Sequence, residues 1–349
     1  MKNITINKFR RIGEGEKPYI IAEIGINHNG ELELAKEMIK VAATTGVDAI
    51  KFQKRTISEM YIKSFLDQPY LKSYSFGNTY GDHKLFLEFD DEDFFELQEL
   101  AKSLNLDFIV SGFDYSSFDF IENKLNVEIH KIASPFVTHY PLLKQVAQYG
   151  KPLILSTGMH TFTEVKNAVE FIKQFNDKII VFQATTLYPC PDEMANLNVM
   201  RRFKDELNVL VGYSSHDKGV VLPAASIALG GCMIEKHFTL DRTMIGPDHA
   251  ASVENEGLAK IVKYAHSVYN GLGSQNKDSQ SLESESRIKY GVSIVSKEEL
   301  NIDDIITEEK ITVKCPGGGI SPVNFWDIIG KKITRRVLAD EILYDEDVQ

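Results

Sequence analysis

Along this chain, short β-branched apolar runs alternate with longer stretches whose apolar residues recur at helical spacing. Residues 18–24 (PYIIAEI) predict a first strand, and 32–43 (LELAKEMIKVAA) a helix that Gly46 can end in a left-handed cap. Residues 47–53 (VDAIKFQ) predict a second strand. After an interruption the alternation resumes with a helix over 91–103, acid-rich at its start as the helix dipole favours. Then come a strand at 107–110, a helix at 115–124, a strand at 128–132, a helix at 140–149, a strand at 152–155 and a helix at 161–174. A strand at 178–183 precedes a mostly helical 197–207. Residues 209–213 and 232–234 supply the last two strands, with a crossover helix over 220–229, and 254–272 the closing helix. Eight strand–helix units predict a (β/α)8 TIM barrel. A doubly wound open sheet is the alternative, although its dinucleotide-binding form would need a G-x-G-x-x-G after the first strand, and none is present.

Two stretches break this rhythm. Residues 54–89 form a long polar segment rich in aromatics, including YLKSYSFGNTYGDHKLFLEF. A loop of that length is functional or disordered, and its aromatics argue against disorder. Residues 273–286 (GSQNKDSQSLESES) read as a linker. Beyond them, β-like runs at 292–295 and 311–313, punctuated by PGGG and Pro322, predict a mostly-β appendage too small for an independent core. The expected organisation is a barrel over 1–272, a linker over 273–286 and a small β domain over 287–349.

Composition narrows the class. Of 349 residues, 43% are hydrophobic and 26% charged, as in soluble globular proteins. A net charge of −11 argues against a nucleic-acid partner. No apolar run has membrane-spanning length, so no membrane association is expected. The first residues show no signal-peptide core, and Cys190, Cys232 and Cys315 match no thiolate metal motif. A reducing, cytoplasmic location is the expectation.

In such barrels the chemistry sits where strands lead into the following helices. Standing there are Glu23, Asn27 and His28; Lys51 and Gln53; Ser111 and Asp114; Lys131 and Ser134; Ser156 and Thr157; Thr185, Thr186 and Tyr188; Ser214 and His216; Glu235 and His237, with Asp241 and Asp248 beyond. Any single serine or threonine is plainly read as a helix N-cap. A parallel strand pair with one crossover brings His216 and His237 to the same rim. They form a candidate divalent-metal site with open positions, or else two unrelated hydrogen-bonding histidines. Lys51 and Lys131 lie within apolar strands that aim them into the barrel mouth, where buried lysines need anionic partners. With the hydroxyls they can cradle phosphate and carboxylate. Glu23 and Glu235 are ion-pair partners of those lysines or proton-transfer groups. The set suggests Lewis-acid chemistry on a phosphorylated or carboxylated small molecule and does not name the substrate.

The motifs AEIGINHNG (22–30), VDAIKFQ, HKIAS, ILSTGM (154–159), YP (188–189), the SSH ending at His216, IEKHFTLD and GPDH (246–249) resemble, in order, those of the sialic acid (N-acetylneuraminate) synthase family. KCPGGGISP (314–322) and IIGKK (328–332) resemble that family's antifreeze-like SAF domain. The resemblance implies condensation of phosphoenolpyruvate with the open-chain aldehyde of an N-acyl hexosamine and water, with C–O cleavage releasing phosphate. It implies a divalent cation, Mn²⁺ with Mg²⁺ or Co²⁺ as alternatives, held by His216 and His237. Lys51, Ser111, Lys131, Ser134, Ser156 and Ser214 would hold phosphoenolpyruvate, and Gln53, Tyr188 and Asp248 the sugar. Glu23 would be the acid/base, with Glu235 and Thr186 in support. A domain-swapped homodimer, each SAF domain over the partner barrel, is also implied. Three positions depart from the bacterial pattern: Phe136 replaces a glutamate, Thr186 an asparagine and Cys315 an arginine. The acceptor is therefore N-acetylmannosamine, its 6-phosphate or a 2,4-diacetamido-6-deoxy sugar, with His83 and Lys84 expected to help close over it. Rival readings are another metal-dependent barrel aldolase or hydrolase, and a non-catalytic carbohydrate- or ice-binding protein.

Overall fold

A β-strand turns successive side chains to opposite faces, so a strand that closes into a barrel must satisfy two environments at once. The computed structural model, which describes residues 3–277 and 281–349, shows how this chain does so. The chain forms two compact units, Met1–Gly273 and Ser274–Gln349.

The first unit opens with an antiparallel hairpin of β1 (Asn3–Thr5) and β2 (Arg11–Gly13). The barrel follows: β3 (Tyr19–Gly25), α1 (Leu32–Ala43), β4 (Ala49–Lys54), three short helices α2 (Ile57–Met60), α3 (Lys63–Leu66) and α4 (Tyr80–Phe86), α5 (Asp91–Ser103), β5 (Asp107–Gly112), α6 (Tyr115–Phe120), β6 (His130–Ile132), α7 (Tyr140–Gln148), β7 (Leu153–Ser156), α8 (Phe162–Ile172), β8 (Ile179–Ala184), α9 (Val199–Leu207), β9 (Leu210–Ser215), α10 (Val221–Ala228), β10 (Met233–His237) and α11 (Asn255–Leu272). Strands β3 to β10 pair in parallel in chain order, and β10 closes on β3. This is the predicted TIM barrel.

One face of each strand packs under the helices, in a core that includes Ile20, Ile50, Val110, Leu155, Val181, Val211 and Ile234. The other face fills the barrel. Ile21, Ala49, Ile109, Ile129, Ile154, Ile180, Leu210 and Met233 cluster there with Ile4, Ile6 and Ile12 of the hairpin segment, which plugs the lower end. Two residues further along the same inward face stand Glu23, Lys51, Ser111, Lys131, Ser156 and Glu235. The period-two alternation thus carries a dry floor directly into a polar mouth.

The strands run past the predicted ends at Val110, Tyr213 and Ile234, reaching Gly112, Ser215 and His237. Apolar character stops before hydrogen bonding does, because the upper inward positions face the cleft. The hairpin was not predicted, since three-residue strands carry no readable period. The 115–124 helix ends its α-portion at Phe120 and continues as a π-turn, Ile121–Leu125, closed by left-handed Asn126.

The long 54–89 segment has a small core of its own. Tyr80 meets Phe65, Tyr70 and Tyr61 at ring-centroid distances of 4.9, 5.2 and 5.4 Å, and Phe76 stacks on Phe86 at 4.5 Å. Thr79 and Asp82 make a reciprocal capping box at the start of α4. Glu88, near its end, accepts from the Arg55 guanidinium at 2.8 Å and from the Arg55 amide at 3.0 Å, clasping the two ends together.

In the second unit, α12 (Ser284–Tyr290) precedes an antiparallel pair, β11 (Ser293–Ser296) and β12 (Ile311–Lys314). Ile294, Leu300, Ile306, Ile311, Ile320, Ile328, Ile333, Val337 and Leu343 are buried as one cluster, so this unit has the apolar core that its length argued against. Arg335 braces it with hydrogen bonds of 2.5 and 2.9 Å to Asp347 and 2.8 Å to Glu341. Within the stretch read as a linker, 278–280 lie outside the described residues, while Ser281–Glu283 make a 3-10 turn leading into α12. Among the described residues no helix is long and apolar enough to cross a membrane.

Candidate active site

At the upper strand ends a cleft of about 280 Å³ opens. Glu23, Lys51, Gln53, Ser111, Lys131, Ser134, Ser156, Thr186, Tyr188, Ser214, His216, Glu235, His237 and Asp248 all line it. Parallel register explains the gathering: Glu23 pairs with Lys51 and with His237, Ser111 with Lys131, and Ser214 with Glu235. Every strand except β8 contributes from within or from its last residue, and the loop after β8 adds Thr186 and Tyr188.

The floor is a buried set of two ammonium groups and two carboxylates. Lys51 Nζ lies 2.7 Å from Glu23 Oε2 and 3.6 Å from Glu235 Oε1, and donates to Ser111 Oγ at 3.0 Å. Lys131 Nζ donates to Glu235 Oε2 at 2.8 Å and sits 4.1 Å from the centroid of the Phe182 ring. That ring fits because residue 212 is glycine: a Cβ there would come within 2.4 Å of it. The two lysines differ in their surroundings. Burial pulls the pKa of Lys51 down, but Glu23 and Glu235 together outweigh it and the net shift is upward. For Lys131 burial wins over Glu235, Lys51 adds repulsion, and the pKa drops to about 8. Glu235 is held below the usual carboxylate range, because Lys131 and Lys51 together overcome its burial.

Ser134 Oγ accepts from the Gly158 amide at 3.0 Å, and Ser214 Oγ lies 3.3 Å from Glu235 Oε1. Gln53 donates to Glu23 Oε1 at 2.7 Å and accepts in turn from Arg55, so Glu23 is aimed from two sides.

Across the mouth, the His216 and His237 ring centroids are 5.7 Å apart, with Tyr188 over both, 4.2 Å from His216 and 5.9 Å from His237. His216 Nδ1 lies 2.6 Å from the Thr185 carbonyl, which assigns the proton to Nδ1 and leaves Nε2 as a free lone pair. Burial and the neighbouring His237 lower the His216 pKa to about 4, so the ring is neutral near pH 7. His237 Nδ1 is buried without a hydrogen-bond partner, with Asp248 Oδ2 3.9 Å away. The neutral His216 ring, with its free Nε2, and the orphaned nitrogen of His237 fit a divalent ion. Among the described residues no group of three or more metal-ligating side chains is gathered, so oxygen donors from water or substrate would have to complete the shell.

Other candidates from the strand ends serve the scaffold. His28 stacks on Phe89 at 3.9 Å, and Asn27 donates at 2.8 Å both to the Phe238 carbonyl and to Ser252. Asp114 caps α6 through Ser117 and receives the Thr56 amide. Thr157 and Thr185 bond the Phe182 and Met194 carbonyls, and Asp241 closes its own turn onto Thr243. Residues not singled out at the strand ends, Arg55, Tyr70 and Tyr80, join the cleft wall from the 54–89 segment beside His83 and Lys84. Their one signal in the sequence is the aromatic, charged insert itself.

Fold and cleft together define a TIM-barrel enzyme whose strand ends gather two lysines, two glutamates and two histidines in one cleft. The chain belongs to the NeuB family, whose model matches residues 38–277. It is 34% identical to the human N-acetylneuraminate-9-phosphate synthase, over 97% of this chain and 94% of that protein. It is 36% identical to the N,N'-diacetyllegionaminic acid synthase of Campylobacter jejuni, over 94% of this chain and 99% of that one. A solved structure of N-acetylneuraminic acid synthetase from Leptospira borgpetersenii, in complex with citrate, is similar with a TM-score of 0.73 at 32% identity, covering 82% of this chain and 95% of that chain.

Proposed function

We propose that this protein condenses phosphoenolpyruvate with the open-chain aldehyde of an N-acyl amino sugar, N-acetylmannosamine or a close relative, to make a nonulosonic acid. The phosphoenolpyruvate methylene forms a C–C bond to the aldehyde carbon, whose oxygen takes a proton and becomes a hydroxyl. Water adds to the former enol carbon, and phosphate leaves with the C–O bond. The observation that carries this reading is the convergence of Lys51 and Lys131 with His216 and His237 on one cleft.

Lys51 and Lys131, with Ser111, Ser134, Ser156 and Ser214, hold the phosphate and carboxylate of phosphoenolpyruvate. Glu23, fixed by Lys51 and Gln53, is in our reading the acid/base that gives a proton to the new hydroxyl or takes one from the attacking water. Glu235 keeps Lys131 charged enough to bind. Tyr188, Asp248 and Gln53 orient the sugar, and Thr186, whose buried Oγ1 has no partner, supports it. A divalent cation held by His216 and His237, Mn²⁺ in our reading with Mg²⁺ or Co²⁺ as alternatives, supplies Lewis-acid polarisation of the aldehyde. The Ser274–Gln349 unit is read as a SAF domain that lies over the barrel of a partner in a domain-swapped homodimer, and the location as cytoplasmic.

The test is phosphate release from phosphoenolpyruvate with Mn²⁺ and a panel of N-acyl mannosamine-type sugars. Release that requires both substrates is expected. Carbon–carbon cleavage or hydrolysis without phosphoenolpyruvate would instead identify an aldolase or hydrolase and end this reading.

A further inference from the structure

Strands β9 and β10 pair only as far as Ser215 and Lys236, the last partners in their register. His216 and His237 each stand one position further on. No β9–β10 ladder bond therefore fixes the spacing between the two imidazoles.

The Lys236 side chain supplies that link. Strand alternation turns Glu235 and His237 into the cleft and sends Lys236 to the opposite face of β10, where it is completely buried. Its ammonium donates to Ser215 Oγ at 2.9 Å and to the Asp217 carbonyl. Those are the residues on either side of His216. One side chain thus ties both flanks of His216 to the residue before His237. The rest of the frame is braced too. Asp217 Oδ1 accepts from Tyr213 at 3.0 Å, the Cys190 amide donates to the His216 carbonyl at 2.8 Å, and the Val253 amide donates to the His237 carbonyl at 2.8 Å.

Electrostatics gives this lysine no advantage where it stands. Among the described residues it makes no ion pair, and Asp217 acts on it only through space. Burying an ammonium without a direct counter-ion is unfavourable, and its charge also repels a cation at the imidazoles. What it contributes is position: a side chain anchored on β10 reaches past the end of the ladder and holds the loop that carries His216.

We infer that Lys236 is a positioning residue for the cation site, holding His216 and His237 at the spacing a divalent ion needs before the ion binds. This rests on the cation reading given above.

The test uses the full-length protein and its Lys236→Met and Ser215→Ala variants, with Mn²⁺ as the probe. The paramagnetic resonance signal of free Mn²⁺ gives the dissociation constant without turnover. Wild type should bind one Mn²⁺. Lys236→Met should raise the dissociation constant about ten- to hundredfold, the loss usual when a group that orients metal ligands is removed. Its affinity for phosphoenolpyruvate without metal should match wild type, because Lys51 and Lys131 are untouched. Phosphate release should fall at low Mn²⁺ and recover at saturating Mn²⁺, with the KM for phosphoenolpyruvate unchanged. Ser215→Ala leaves the Asp217 carbonyl contact in place and should shift Mn²⁺ binding in the same direction by less; it decides the matter should Lys236→Met fail to fold. A brace for the fold alone would lower unfolding stability and leave the Mn²⁺ dissociation constant of the folded variants at the wild-type value, which would overturn the role of Lys236. Equal losses of Mn²⁺ and phosphoenolpyruvate affinity would overturn it as well, by showing that the whole cleft had given way. A wild type that binds none of Mn²⁺, Mg²⁺ and Co²⁺ would instead overturn the cation reading, and this inference with it.

Discussion

Replacing Lys131 by methionine separates function from stability. In the folded protein burial holds the Lys131 pKa near about 8 against an ordinary 10.5, even with Glu235 at 2.8 Å. Two and a half pK units mean that keeping this ammonium charged inside the barrel costs roughly 3 kcal/mol at neutral pH. Methionine removes that cost and keeps a similar volume over the Phe182 ring, where a thioether packs well. Breaking a buried pair ordinarily destabilises by about 3–5 kcal/mol because one charge is left alone. Here Glu235 is not left alone, since Lys51 remains at 3.6 Å and Ser214 at 3.3 Å. We expect Lys131→Met to unfold no lower than wild type at pH 7, and to gain up to roughly 3 kcal/mol. Phosphoenolpyruvate affinity should meanwhile fall about ten- to hundredfold, the loss for one charge-assisted contact to phosphate.

The pH dependence supplies the sign. Because the folded pKa lies below the unfolded one, the penalty is fully present below about 8 and vanishes as pH rises through 10.5. The variant's advantage in denaturant unfolding should therefore shrink across that window. Calorimetric binding of phosphoenolpyruvate and unfolding from pH 7 to 10.5 measure both quantities. A variant that loses stability at pH 7, or binds phosphoenolpyruvate like wild type, refutes the reasoning.

Three further outcomes are expected. Chelation should abolish phosphate release and added Mn²⁺ restore it, while His237→Gln should stay folded yet retain less bound Mn²⁺ after desalting; an active, metal-free wild type would remove the imidazole pair from the chemistry. Asp217 accepts from Tyr213 at 3.0 Å, Ser215 at 2.5 Å and the Gly219 amide at 3.2 Å, so Asp217→Ala should cost roughly 2–4 kcal/mol in denaturant unfolding by stranding buried donors, and loosen the segment that presents His216; a loss under 1 kcal/mol, on the order of experimental scatter, would contradict this. A Cβ on Gly158 would come within 2.2 Å of Thr186 Oγ1, so Gly158→Ala should weaken phosphoenolpyruvate binding and Gly158→Ala with Thr186→Ala should recover part of it; equal affinities in both would show that the contact relaxes freely.

How much was legible follows from where each signal is encoded. The strand–helix alternation is local: β-branched runs and 3.6-residue spacing are properties of neighbours in the chain, and α1 was readable to the residue at Leu32–Ala43. The cleft residues were legible for a related reason. A polar side chain two positions beyond an inward apolar one, as Lys51 is beyond Ala49 or Glu235 beyond Met233, must face the barrel mouth if the strand closes into a barrel. Partnership was legible only for the two glutamates, which do pair with Lys51 and Lys131. Asn27, His28 and Asp114 sit at strand ends as Glu23 does, yet they satisfy backbone and packing neighbours brought from distant segments, such as Phe238 and Ser252 beside Asn27. The 54–89 segment carries no period, and its order comes from aromatic contacts and from the Arg55–Glu88 clasp across the whole loop. Which of two lysines holds its proton more tightly than usual and which gives it up easily depends on how many carboxylates each meets in three dimensions, and chain order alone carries no such count.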